Sequence, residues 1–207
     1  FVAAAIDHAA KASVDGRGVV AGNSLGGCVA LRAAQRDELP LAGIVPIAPA
    51  GLDLARWISI IEGAWAVQAI MRSPVPMPEL VIRELVGRAY RTLASSNPSQ
   101  LDSAVVAAFT RHVRSKRDVV RILGTGRRLK PELREPFQLD WVRCPVLVIW
   151  GERDRMVSPA GAERIVERVE RARVELIEGC GHCPQVEHPE RIAELLADFP
   201  AIRATVA

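Results

Sequence analysis

The sequence predicts an α/β fold, a mostly parallel sheet flanked by helices and interrupted by a helical insertion. Three observations carry this expectation. Four short apolar runs of strand length are each bounded by glycine or proline. Segments with helical spacing lie between and after them, and strands that alternate with helices build a parallel sheet. From Leu52 to about Leu139 the alternation stops, and only helical patterns remain.

In chain order, "FVAAAIDHAAKA" carries apolar residues at 1, 2, 5, 6 and 9 and predicts an amphipathic helix. It starts with Phe1 rather than Met and has no basic region before its apolar stretch, so it does not read as a secretory signal. The chain is expected to open partway through a domain. "GRGVVAG" (16–22) is a β-branched run closed by glycine, and "LGGCVALRAAQR" (25–36) follows it with helical spacing. Together they predict strand, sharp turn, helix. "LAGIVPIAPAG" (41–51) is the second strand, "CPVLVIWGERD" (144–154) the third and "RVELIEG" (173–179) the fourth. A helix over 159–171 should open with Ser158 as N-cap and Pro159 in the first helical position, and one over 189–199 with His188 and Pro189. Inside the insertion, "SPVPMP" (73–78), "SSNPS" (95–99) and "LGTG" (123–126) punctuate the helices. Two units follow: a core of 1–51 and 140–207, and a helical cap of 52–139.

Composition narrows the class of function. The chain has 207 residues, 49% hydrophobic and 25% charged, enough to bury a full core. The net charge of +3 is spread out, without the basic block that neutralises a phosphate backbone, so nucleic acid is not expected as a partner. No run approaches the roughly 20 apolar residues of a membrane span. Cys28, Cys144, Cys180 and Cys183, without an export signal, suggest free thiols and a cytoplasmic location.

Two stretches carry the chemistry. "GNSLG" (22–26) matches G-x-S-x-G and stands between a strand and a helix. The turn forces Ser24 into a strained conformation, and small residues at 22 and 26 are expected to let it pack. The hydroxyl is then presented at a helix N-terminus, where developing negative charge is favoured. A serine hydroxyl needs a base, and the base needs a carboxylate to orient it. In an open parallel sheet such groups gather beyond the carboxyl ends of the strands. Asp154 follows the third strand there and His182 the fourth, with Glu152 and Glu178 as fallback acids.

The second stretch, "EGCGHCPQVEHPERI" (178–192), allows three chemistries: a redox CxxC, a Cys/His metal site, or a lone basic histidine. A redox pair would place Cys180 at a helix N-terminus, whereas Pro189 opens the next helix. A structural zinc site needs four ligands, and Cys28, Cys144 and His188 supply no second paired motif. The remaining reading makes His182 the base and gives its loop latitude through Gly179 and Gly181. His188 then reads as a helix cap, His8 as a residue of the amphipathic first helix and His112 as part of a solvated basic stretch (111–117).

Taken with "IVPIAPAGL" and "CPVLVIWGERDRMVSP", these stretches resemble the C-terminal two-thirds of an α/β-hydrolase fold protein, with Ser, Asp and His in that family's chain order. The resemblance implies the cap between sheet strands, N-terminal strands missing from this sequence, no cofactor and no metal. It implies a triad of Ser24, Asp154 and His182, with the backbone N–H of Leu25 in the oxyanion hole. A second oxyanion donor would lie upstream, outside this sequence. Serine in place of aspartate sets the chain apart from the haloalkane dehalogenase and epoxide hydrolase branches. The activity implied is hydrolysis of carboxylic esters of small to medium apolar substrates, with homo-oligomerisation left open. "GNSLGG" also resembles hydrolases of carbon–carbon bonds in aromatic ring-fission products, although Cys183 stands where those carry tryptophan. A noncatalytic binding protein of the same fold is the third reading.

Overall fold

The computed structural model describes residues 1–52, 69, 70 and 72–206. Four strands form one parallel sheet in the order β1 (Gly18–Asn23), β2 (Leu41–Ile47), β3 (Val146–Gly151) and β4 (Ala172–Ile177). The helices are α1 (Val2–Ala12), α2 (Leu25–Ala34), α3 (Glu79–Ala94), α4 (Ser103–Thr110), α5 (Lys116–Arg134), α6 (Gly161–Arg168), α7 (Pro184–Glu187), α8 (Pro189–Ala197) and α9 (Pro200–Val206). Each predicted strand is present; β2 stops before Pro49 and β4 before Gly179, whereas β1 runs through Gly22 to Asn23 and β3 ends on Gly151.

Period-two alternation in the central strands divides the core. Ile44, Val146, Val148 and Trp150 face one side, packed with Ile6, Leu31 and Ile165. Val45, Ile47, Leu147 and Ile149 face the other, against Ile192, Leu195 and Phe199. Every residue of β3 is buried, as expected of a strand covered by helices on both faces. The apolar content of β2 and β3 thus reflects two buried faces, and it fixes the sheet as the middle of three layers.

Between β2 and β3 the described residues contain helices and no strand, as the sequence predicts. Residues 53–68 and 71 of the expected cap lie outside the described residues. Ile82, Val113 and Val119 form a small apolar cluster of their own, with Met77, Val86 and Leu123 against it. Two details depart from expectation. "LGTG" does not interrupt a helix; α5 runs through it. A capping box joins Ser115 and Asp118 at its start, and Thr125 Oγ1 donates to the Arg121 carbonyl at 3.0 Å. The helix thus carries both Gly124 and Gly126, at about 1 kcal/mol each, on a start fixed by the capping box. Ser158 does not cap α6, which begins at Gly161. The chain enters through a tighter turn, in which Gly161 N–H donates to the Ser158 carbonyl and Ala162 N–H to that of Pro159. His188 is the N-cap residue of α8, without a side-chain capping bond.

Candidate active site

The parallel order places Ser24, Asp154 and His182 together at the carboxyl end of the sheet, after β1, β3 and β4. A broad surface depression of about 650 Å³, lined by Arg17, Leu41 and Pro145 among others, opens at the opposite end, where the strands begin.

Ser24 has φ 55° and ψ −113°, a conformation that costs a non-glycine residue about 1–3 kcal/mol. Its backbone is held on both sides. Its N–H donates to the Ile47 carbonyl at 2.9 Å, and its carbonyl accepts from Cys28 N–H and Ala50 N–H, each at 3.0 Å. Close approach explains the glycines around it. A Cβ on Gly22 would lie 2.5 Å from the carbonyl carbon of Gly26, and one on Gly27 would lie 2.9 Å from Pro49 Cα. A Cβ on Gly26 would meet nothing among the described residues, so the small side chains the turn requires are at 22 and 27 rather than at 22 and 26. Leu25 is the first residue of α2, and its N–H belongs to the first turn, which has no carbonyl partner within the helix.

Asp154 is 4% exposed and accepts four hydrogen bonds. Oδ1 takes Met156 N–H at 2.7 Å and Val157 N–H at 2.9 Å. Oδ2 takes the indole N–H of Trp150 at 3.1 Å and lies 2.7 Å from His182 Nδ1. With the carboxylate as acceptor, Nδ1 carries the proton of the neutral imidazole, leaving a lone pair on Nε2. Nε2 is buried without a hydrogen-bond partner among the described residues. A buried nitrogen left open in this way is available to a hydroxyl donor. Glu152 is exposed and receives Gly179 N–H instead, so Asp154 rather than a fallback acid meets the histidine.

The loops holding these side chains are fastened to one another. Arg153 N–H donates to the Cys180 carbonyl at 2.8 Å, and a side chain on Gly151 would run into the Gly181 carbonyl. Asn23 Nδ2 donates to the His182 carbonyl at 3.0 Å and to that of Ile47 at 3.3 Å, tying the serine turn to the histidine loop. Gly179 uses a left-handed φ of 66°, whereas Gly181 supplies clearance rather than latitude: its Cβ would lie 2.6 Å from Ser96 N.

The CxxC pair is not a disulfide, and all four cysteines are free. Burial pushes the Cys183 thiol up to about 11, and burial with the nearby Glu187 carboxylate raises Cys180 further. Tyr90, stacked on Phe109 at 3.9 Å between ring centres, is likewise pushed up to about 12, by burial first and then by Cys183. Sequence reasoning did not identify Trp150, Glu187, Ser95 or Ser96 as site residues. An acid five positions after the histidine was a readable signal for Glu187, whereas the serines reach the site only through tertiary packing.

Among the described residues, no helix is long and apolar enough to cross a membrane. The chain is 30% identical over 186 residues to a pimeloyl-[acyl-carrier protein] methyl ester esterase of Aromatoleum aromaticum, covering 87% of this chain and 72% of that protein. It is 26% identical over 184 residues to the monoacylglycerol lipase abhd6-A of Xenopus laevis, covering 86% of this chain and 53% of the lipase. It thus spans about half of the lipase's length. Its fold matches the 2-hydroxy-6-oxo-6-phenylhexa-2,4-dienoate hydrolase of a Rhodococcus strain with a TM-score of 0.66 at 21% identity, over 89% of this chain and 63% of that one. The profile of the alpha/beta hydrolase family matches residues 1–195, a span that takes in the serine turn, Asp154 and His182, and the chain belongs to that family.

Proposed function

We propose that the chain is a serine hydrolase that cleaves carboxylic esters of small to medium apolar substrates through a Ser24–His182–Asp154 triad. The observation that carries this reading is the buried Asp154–His182 pair, 2.7 Å apart, with Nε2 left open at the same end of the sheet as a strained Ser24. Ser24 Oγ attacks the ester carbonyl while His182 Nε2 takes its proton. The tetrahedral oxyanion accepts a hydrogen bond from Leu25 N–H at the start of α2. The proton then passes to the departing alkoxide, an acyl-serine remains, and water activated by the same imidazole releases the acid. Asp154 stays ionised, holds the imidazole as the Nδ1–H tautomer and offsets the charge His182 gains. The helices described between β2 and β3 serve as a cap over the acyl group, and their small apolar cluster suits a unit folded beside the core. The similar esterase and lipase are both named for ester substrates, which supports this class of bond.

The test is a series of p-nitrophenyl esters of graded chain length, run beside a ring-fission dienoate. Hydrolysis of the short esters, with a fluorophosphonate probe labelling the chain and failing to label Ser24→Ala, is the expected result. Turnover of the dienoate alone favours carbon–carbon cleavage. Absence of both labelling and turnover favours a binding role.

A further inference from the structure

The stretch "GCGHCPQVEHP" contains one carboxylate, and the triad does not use it. Glu187, at the end of α7, points its carboxylate back toward the histidine loop and across to the exit of α3. Oε1 accepts Gly181 N–H at 2.8 Å, with Cys180 Sγ 3.6 Å away. Oε2 accepts three donors: Ser95 Oγ at 2.9 Å, Ser96 N–H at 3.0 Å and Ser96 Oγ at 2.9 Å. The same junction is closed from the other side, where His182 N–H donates to the Ala94 carbonyl at 2.9 Å. Ser95 is 3% exposed, and there is no room for a Cβ on Gly181 against Ser96. One carboxylate thus joins the two residues that follow α3 to the residue immediately before His182.

We propose that Glu187 is a positioning residue that latches α3 to the His182 loop, so that the imidazole is held in place for Ser24 only while α3 is seated. The proposal rests on the triad reading above. An acceptor-only side chain suits the position because every group converging on it is a donor. A glutamine can turn its oxygen to the two serines, but its amide N–H₂ then opposes Gly181 N–H, and one arm of the latch is lost. Displacing a general base by about 1 Å costs on the order of a hundredfold in rate, without requiring any change in substrate affinity.

The experiment measures p-nitrophenyl butyrate hydrolysis by the full chain carrying Glu187→Gln, the pair Ser95→Ala and Ser96→Ala, all three changes, or Ser24→Ala, with thermal unfolding of each. The expected result is a kcat lower by roughly ten- to a hundredfold in both the Glu187 variant and the serine pair, with KM within threefold of the parent. The triple variant should be no more than about threefold worse than the weaker parent variant, because both sets of changes weaken one connection, the serine pair leaving only Ser96 N–H on Oε2. Multiplicative losses, parental kcat in both, or a loss confined to KM would overturn the latch. If Glu187→Gln does not fold, the serine pair decides alone, since it keeps the carboxylate and its bond to Gly181. Hydrolysis at the parental rate by Ser24→Ala would instead refute the triad, a separate result from loss of the latch.

Discussion

Asp154→Asn tests the site most sharply, because the carboxylate is fully occupied. The two backbone donors, Met156 N–H and Val157 N–H, cannot turn away, so the amide oxygen goes to them. The new N–H₂ group then faces the Trp150 indole N–H and His182 Nδ1. Two consequences follow, of different size. The indole donor loses its acceptor inside the core, a cost of about 1–3 kcal/mol in stability. At roughly 2–4 °C per kcal/mol for a domain of this size, the melting temperature drops by between about 2 and 12 °C. His182 can bond the amide only as the other tautomer, with Nδ1 accepting and the proton on Nε2, where it can no longer take one from Ser24. Loss of the correct tautomer lowers kcat by about 10⁴, or roughly 5.4 kcal/mol of barrier. The assay is kcat for p-nitrophenyl butyrate, measured well below the variant's own melting temperature. A folded Asp154→Asn chain with kcat within tenfold of the parent would refute the assignment of Asp154 as the orienting acid.

Three further outcomes are expected. Ser24→Ala and His182→Ala each abolish most hydrolysis and the double variant is little worse than either, because the two side chains share one proton transfer; multiplicative kcat losses would contradict this. Gly22→Ala, whose Cβ would lie 2.5 Å from the Gly26 backbone, unfolds at a far lower temperature than Gly26→Ala, whose Cβ meets nothing among the described residues; equal melting temperatures would show that the turn relaxes freely. Replacing Cys180 and Cys183 by Ser leaves hydrolysis within about an order of magnitude, a barrier change near 1.4 kcal/mol. The same variant flattens the alkaline decline in stability. The folded thiol of Cys183 sits up to about 11 against 9.0 for a free thiol, so its contribution is fully present below pH 9 and fades as pH rises toward 11. Melting temperatures that fall in parallel between pH 9 and 11 for parent and variant would remove the thiols from that account.

The sheet was readable in the sequence because strand burial leaves a local mark. β2 and β3 are apolar at nearly every position and are ended by Ala48–Pro49 and by Gly151. The serine turn was readable for the same reason, since clearance at Gly22 is a backbone requirement within a few residues of Ser24. The role of each glycine was less legible: Gly26 has open space while Gly27 packs on Pro49, and only the fold reveals which side of a turn meets a neighbour. "LGTG" misled because glycine only lowers helix propensity and does not forbid a helix, while the capping box at Ser115 and the packing of Val119 and Leu123 into the Ile82 cluster depend on partners beyond the glycines. The partners of Glu187 were invisible, since Ser95 and Ser96 lie some ninety positions away in sequence and reach it only through the packing of α3.

The pairing of β2 with β3 has a further consequence for how the chain folds and varies. Roughly a hundred residues separate Ile47 from Val146, yet the two strands are direct neighbours in the sheet. Closing so long a connection carries an entropic cost that grows only logarithmically, about 0.6 kcal/mol for each doubling of length. The sheet must therefore form a contact of high sequence separation, which slows folding, but it is nearly indifferent to how many residues that connection contains. Lengthening or shortening the helical connection between β2 and β3 therefore costs the sheet little through loop closure, and under the latch proposed above such change would be limited by the junction at Ala94–Ser96.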